Sequence, residues 1–306
     1  MLPATLADLP KSLPQFDSIE VLIVDDGSID GTADVAKKAG VHHVVKLPFH
    51  QGLAAAFSEG LRASLALGAD IVVHTDADNQ YPGSEIQRLI EPILLGKAHV
   101  VIGCRNIESI PHFSSSKKRL QRYGSLVVRW FSNTNIPDVT SGFRAITREA
   151  ALRLMVISDY TYTLETIIQA GLAGIPMTWI PIKTNPKTRT SRLIKSNFDY
   201  ISRSILTILR IYTLYRPLRT FLAIGGILCT GGILLGLRFV YYYLTSGGQG
   251  HIQSLILAAI MMIIGFGSSL FGMVADLTAA NRRILEELRY KLRKMERPDD
   301  INGPKS

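Results

Sequence analysis

The sequence predicts an α/β protein with a mostly parallel sheet, continued by two membrane-spanning helices. Three observations carry this. Short β-branched runs alternate with stretches of helical periodicity through the first two-thirds of the chain. Two unbroken apolar runs, Thr220 to Leu237 and Ser254 to Ala275, are each long enough to cross a hydrocarbon core of ~30 Å. Between these parts, Ile194, Phe198, Ile201, Ile205, Ile208 and Tyr212 recur in steps of four and three, with Arg192, Lys195, Arg203 and Arg210 opposite. That pattern is a basic amphipathic helix suited to a membrane interface.

Composition agrees. Of 306 residues, 47% are hydrophobic, and the excess is concentrated after residue 217. The net charge of +9 points to acidic partners such as anionic membrane lipid or phosphorylated substrates. No nucleic-acid-binding signature accompanies it, so no nucleic acid partner is expected. Two cysteines, Cys104 and Cys229, suggest neither a disulfide framework nor a zinc site. The N-terminal residues lack the basic start and apolar core of a signal peptide.

Taken in order, Leu2, Leu6, Leu9 and Leu13 predict a short opening helix. Val21 to Val24 is a buried strand ending in Asp25-Asp26-Gly27-Ser28, where open α/β sheets bind ligands. Val41 to Leu47 is a second strand, and Gly52 with the alanines after it permits close backbone approach at the start of a helix running to about Leu67. Ile71 to His74 is a third strand, leading into Thr75-Asp76-Ala77-Asp78-Asn79-Gln80. Residues two apart share a strand face, so Asp76 and Asp78 point the same way if the extended geometry persists. Paired carboxylates repel unless a cation lies between them, and a hard divalent cation suits this site; a solvated acidic turn is the plainer alternative.

A helix after Pro82, a strand over Val100 to Gly103 reaching Arg105, a helix from about Thr163 to Ala173 and a late strand over Ile180 to Ile182 complete this part. Residues 106 to 116 read as a polar loop, followed by the basic cluster Lys117, Lys118, Arg119 and Arg122. Arg144, after the Ser141-Gly142 turn, is a candidate phosphate ligand because its planar fork binds two oxygens at once. A second basic loop spans Lys187 to Arg192. The loop Thr245 to Gln253 between the apolar runs carries no Lys or Arg, whereas both outer flanks are basic. The positive-inside rule then places the large domain and the C-terminal tail in the cytoplasm. Glycines 225, 226, 231, 232 and 236 permit close helix approach, compatible with homo-oligomers through the transmembrane helices.

Together these segments resemble the family 2 glycosyltransferases, in particular the polyprenyl-phosphate sugar synthases of the dolichol-phosphate-mannose-synthase type. The resemblance rests on Val24 to Ser28 with Asp30-Gly31-Thr32, Gln51 to Ala54, Thr75 to Gln80, Gly103-Cys104-Arg105 and Ser141 to Arg144, in that order. It covers about residues 1–195. It implies a GT-A (Rossmann-like) nucleotide-sugar-binding domain and an inverting, metal-dependent hexosyl transfer from a nucleotide-diphosphate sugar to a polyprenyl phosphate, dolichyl or undecaprenyl. It implies Mg²⁺ or Mn²⁺ on Asp76, Asp78 and Gln80. Donor binding then falls to Asp25, Asp26, Gly52 and Asp76. Catalysis falls to Asp78 and Arg144, with Arg144 at the diphosphate or acceptor phosphate. The acceptor phosphate falls to Arg189, Ser191 and Arg192. A lipid phosphate is already ionised, so neither Asp138 nor Glu165 is needed as a general base. The expected organisation is 1–192 transferase, 193–217 juxtamembrane helix, 218–244 and 252–278 transmembrane helices, and 279–306 basic tail.

Two departures stand out. His50 replaces the usual Asn, and the family's first strand, ending Pro-x-x-Asn-Glu, has no counterpart before Leu2. A start codon assigned too far downstream is the simpler reading, with in-frame upstream codons encoding that strand. A non-catalytic scaffold is the other. A processive polysaccharide synthase is a further alternative, but Arg129-Trp130 lacks the Gln-x-x before it and only two spans follow.

Overall fold

The computed structural model describes residues 1–105, 125, 128, 129, 132, 134–157, 161–186, 197–247 and 252–295; among these, the side chains of 197–204 and 246 lie outside the description. The chain divides into two units. One comprises Met1–Leu209 with Tyr290–Ser306, and the other Arg210–Arg289.

The first unit opens with α1 (Leu2–Asp8), β1 (Leu22–Asp25), α2 (Thr32–Lys38), β2 (His43–Lys46), α3 (Leu53–Ala66), β3 (Ile71–His74) and α4 (Glu85–Leu94). It continues with β4 (Val100–Arg105), β5 (Arg144–Thr147), α5 (Arg148–Arg153), α6 (Thr163–Leu172) and β6 (Met177–Ile182), then enters α7 (Asn197–Tyr215). β1 and β2 pair in parallel as a two-stranded sheet. The remaining strands form a second sheet in the order β3-β5-β4-β6. Within it β4 and β6 are parallel, whereas β5 runs antiparallel to both neighbours.

This corrects the mostly parallel sheet expected from the sequence. The four residues of β5 follow the Ser141-Gly142 turn and begin with an arginine, so they carry no apolar run that announces a strand. β4 is flanked by strands on both edges, and its residues Val100 to Cys104 are all buried; burial of both faces removes the two-residue alternation. The core lies between this sheet and α4, whose Ile86, Leu89 and Ile90 fall on one helical face and meet Tyr81, Val101, Phe143 and Ala145. Leu9, Leu13 and Phe16, on the segment after α1, pack on the same cluster. The Asp8 carboxylate accepts the Gly83 N–H at 2.7 Å, which fixes the end of α1 beside the start of α4.

In the second unit, α8 (Pro217–Ser246) and α9 (Ile252–Met295) are both long and apolar enough to cross a membrane. Their large side chains point outward, Ile227 and Ile263 being 73% and 72% exposed, which suits a lipid surround and not a soluble core. The helices touch through small residues. A Cβ on Gly225 would stand 2.6 Å from the Gly265 carbonyl oxygen, and one on Gly265 would stand 2.9 Å from the Gly225 carbonyl oxygen. The apolar run and the basic segment after it form one continuous helix.

Candidate active site

The register His74↔Arg144 between β3 and β5 brings the end of β3 beside the Ser141-Gly142 turn. His74 Nδ1 donates to the Gly142 carbonyl oxygen at 2.8 Å, and the Tyr162 hydroxyl lies 3.2 Å from the same nitrogen. Phe57 stacks on Tyr162 with ring centroids 4.0 Å apart. Burial holds the imidazole below its ordinary pKa, against the pull of Asp76. Gly142 leaves no room for a side chain: a Cβ there would stand 3.0 Å from Asp76 Oδ2 and 2.9 Å from the Tyr162 hydroxyl.

Asp76 therefore sits on a platform of Gly142, His74 and Tyr162. Burial pushes its carboxyl above the usual aspartate range; His74, Arg105 and Arg144 oppose this, while the Asp78 charge adds to it. Among the described residues, none donates a hydrogen bond to this carboxylate. Asp78 Oδ1 accepts the Gln80 N–H at 3.0 Å. Asn79 between them adopts φ +59°, and Asn185 holds the turn from outside by donating to the carbonyl oxygens of Asn79 and Gln80. No group of three or more His, Cys, Asp or Glu that could hold a metal occurs among the described residues. A pair of neighbouring carboxylates, one of them proton-avid and without a hydrogen-bond donor, still fits a hard cation whose remaining positions are filled by phosphate oxygens and water.

Arg105, at the end of β4, was not assigned a role from the sequence. Its Nε donates to Asp138 Oδ2 at 2.7 Å and its Nη2 to Asp138 Oδ1 at 3.1 Å. Nη2 also donates to Thr140 Oγ1 at 2.9 Å. Burial opposes the charge on Asp138, but the Arg105 charge and hydrogen bonds from Arg105 and Thr140 outweigh it and lower its pKa. The signal available in the sequence was Asp138 two residues before Thr140, a spacing that forms a local Asp–Thr hydrogen bond, here 2.9 Å.

Arg144 lies inward, 1% exposed. Its Nε donates to the Ser141 carbonyl oxygen at 2.9 Å, Nη1 to Thr166 Oγ1 at 2.5 Å, and Nη2 to the carbonyl oxygens of Thr163 and Val139. In this arrangement it braces the 138–142 turn against α6, and its fork does not face open space. Glu165 is likewise structural, accepting the Ile157 N–H at 2.9 Å.

At the end of β1, Asp25 is 2% exposed; its Oδ1 accepts the Ser28 N–H at 2.8 Å, and its Oδ2 has no hydrogen-bond partner among the described residues. Asp26 accepts the N–H groups of Gln51 and Gly52 at 2.7 and 2.9 Å and pairs with His50 Nδ1 at 2.7 Å, tying the β1 loop to the start of α3. Gly27, at φ +68°, is required: a Cβ there would stand 2.5 Å from the backbone carbon of Phe49. Arg189, Ser191 and Arg192, and the cluster 117–122, lie outside the described residues.

The two sheets, with acidic residues at the end of β1 and in the turn after β3, belong to a GT-A fold, shared with glucosyl-3-phosphoglycerate synthase from Mycobacterium tuberculosis solved with Mn²⁺, uridine diphosphate and phosphoglyceric acid. That structure superposes with a TM-score of 0.54 at 20% identity, covering 69% of this chain and 73% of that one. Residues 1–154 match the model of glycosyl transferase family 2, and the chain belongs to that family. It is 27% identical to Glycosyltransferase AglJ of Haloferax volcanii over 91% of each chain. It is 31% identical to the undecaprenyl-phosphate mannosyltransferase of Micrococcus luteus, over 59% of this chain and 76% of that protein.

Proposed function

We propose that the protein transfers one sugar, with inversion, from a nucleotide-diphosphate sugar to a polyprenyl phosphate at the cytoplasmic face of a membrane. The observation that carries this is the Asp76–Asp78 pair on a family 2 fold that runs on into two apolar helices. The mannosyltransferase similarity supports the acceptor class, and α8 and α9 keep the enzyme in the bilayer where a polyprenyl tail resides.

The acceptor phosphate oxygen forms a bond to the anomeric carbon as the bond to the diphosphate breaks. Its oxygen is already anionic, so no residue has to remove a proton. Asp76 and Asp78, with Gln80, would hold Mg²⁺ or Mn²⁺. That ion would supply Lewis-acid neutralisation of charge on the departing diphosphate. Arg105, oriented by Asp138 and Thr140, adds a fixed positive charge beside Asp76, in surroundings where a preorganised charge is worth more than in water. Arg144 contributes as a positioning residue, through the turn that carries Gly142. Asp25, Asp26 and Gly52 bind the nucleoside side of the donor. Arg189, Ser191 and Arg192 meet the acceptor phosphate, next in the chain to α7.

The test is Asp78→Asn, assayed with labelled nucleotide sugars and a polyprenyl phosphate in detergent. The expected result is loss of transfer to lipid by at least about a hundredfold, with an unchanged melting temperature. Full activity in this variant, or wild-type activity that a chelator leaves untouched, would refute the assignment.

A further inference from the structure

Helices and strands hold a site more precisely than loops do. Here β3 ends at His74, short of Asp76. A turn therefore decides where Asp78 and Gln80 stand, and whatever holds that turn sets the geometry of the site.

The two ends of the turn are secured by the sheet and the core. His74 pairs with Arg144 in the β3–β5 ladder. Tyr81 is 3% exposed and stacks on Phe143 with ring centroids 5.1 Å apart. Between these anchors Ala77 and Asp78 are exposed. Asp78 Oδ1 accepts the Gln80 N–H at 3.0 Å, which engages one of the oxygens that a metal would use.

Asn79 is where this turn is most costly. Its φ of +59° is left-handed, and asparagine reaches that region more readily than most residues when its short side chain bonds locally. Asn79 Oδ1 has no hydrogen-bond partner among the described residues. The hold comes instead from a residue 106 positions further along, where Asn185 Nδ2 donates to the Asn79 carbonyl oxygen at 3.0 Å. The Asn185 N–H donates to the Gln80 carbonyl oxygen at 2.9 Å. One residue thus fixes two successive peptide groups of the turn. It stands just beyond β6, which belongs to the same sheet as β3. Only the amide nitrogen of its side chain can face a carbonyl oxygen, so the orientation of that side chain is set by chemistry. Alanine or leucine at this position would keep the backbone bond and lose the side-chain one.

We propose that Asn185 is a positioning residue for the metal: it holds the Asn79–Gln80 backbone in the conformation that presents Asp78 and Gln80 to the ion. The proposal rests on the reading of Asp76, Asp78 and Gln80 as the residues that hold Mg²⁺ or Mn²⁺. Asn185 acts through the backbone of the turn and not on the ion itself. Outer groups of this kind restrict the ligands, and losing one costs about tenfold or more in metal affinity.

The test is Mn²⁺ binding to the purified full chain in detergent, read from the electron paramagnetic resonance signal of free Mn²⁺, with uridine or guanosine diphosphate present. Wild type, Asn185→Ala, Asn185→Leu and Asp78→Asn are compared. Both Asn185 variants should bind Mn²⁺ about tenfold more weakly than wild type, with melting temperatures unchanged in the absence of metal. The two differ in bulk and share only the missing donor, so equal losses tie the effect to the N–H. In the transfer assay, raising Mn²⁺ should return the Asn185 variants towards wild-type turnover and leave Asp78→Asn inactive, a rescue that a merely structural defect would not show. Wild-type affinity in both Asn185 variants, beside lost binding in Asp78→Asn, overturns the proposal and leaves the metal site standing. A loss in only one of the two variants overturns it by making bulk the cause, and a loss that comes with a fallen melting temperature in both overturns it by assigning Asn185 to the fold. Absence of Mn²⁺ binding to the wild type overturns it together with the reading of Asp76 and Asp78.

Discussion

At Gly142 the backbone closes on Asp76, one of the carboxylates proposed to hold the metal. The glycine's missing side chain lets Asp76 and Tyr162 close on the turn, and His74 anchors the turn through the Gly142 carbonyl. Gly142→Ala is expected to push the Asp76 carboxylate off its platform and lower turnover by about a hundredfold, the cost of displacing a reacting group by around 1 Å. Turnover and melting temperature measured together would check this, because the fold should survive the change. Asp138 carries a different kind of consequence. Its pKa is lowered in the folded chain, so the stability it contributes is fully present above the ordinary aspartate value and is lost as pH falls through the depressed one. Asp138→Asn would leave the Arg105 guanidinium buried beside a neutral partner, at a cost of about 3–5 kcal/mol. Urea denaturation of the variant near neutral pH should reveal that loss, and the gap to wild type should narrow on acidification below the aspartate range. The acidic end of β1 could be read from the sequence, but the strand face expected to be shared by Asp76 and Asp78 is not formed: β3 ends at His74 and the chain turns at Ala77 and Asp78, leaving Asp76 partly buried and Asp78 exposed. Arg105 with Asp138, and His74 with Tyr162, could not be read there: these partners are 33 and 88 positions apart, and only the sheet register brings them together.

Strand β5 and the paired membrane helices are the elements on which the sequence was least and most informative. β5 is four residues with an arginine at one end and a threonine at the other, and its strand character comes from its neighbours β3 and β4, not from its own residues. Arg144 reads as a candidate phosphate ligand from its place after the Ser141-Gly142 turn; as the first residue of an interior strand, it turns inward to Thr163 and Thr166. The apolar helices needed no such context, since length and composition suffice to mark them as candidate membrane spans. Their close approach was also foreshadowed by glycine spacing. Gly225→Leu would drive a branched side chain against Gly265 and Ser269, where even a Cβ stands 2.3 Å from Ser269 Oγ. The expected outcome is a separated helix pair, seen as loss of a disulfide cross-link engineered between α8 and α9, whereas Gly226→Leu, with nothing within 4 Å, should leave the cross-link intact.

The chain as a whole joins a transferase unit of family 2 to a unit of long apolar helices, and the proposed acceptor has both a phosphate head and a lipid tail. A net charge of +9 suits such a substrate and an anionic membrane surface. This division was legible in the sequence, because hydropathy changes abruptly after residue 217. The division of the strands into two sheets was not legible there, because pairing between segments distant in the chain is set by register. The most direct measurement is chromatography of the product made by the purified protein from labelled nucleotide sugar and polyprenyl phosphate. The account predicts a single organic-extractable product, labile to mild acid, that carries one sugar and does not grow with time. A ladder of lengthening glycans, or label appearing only as free sugar at every donor tested, would contradict it.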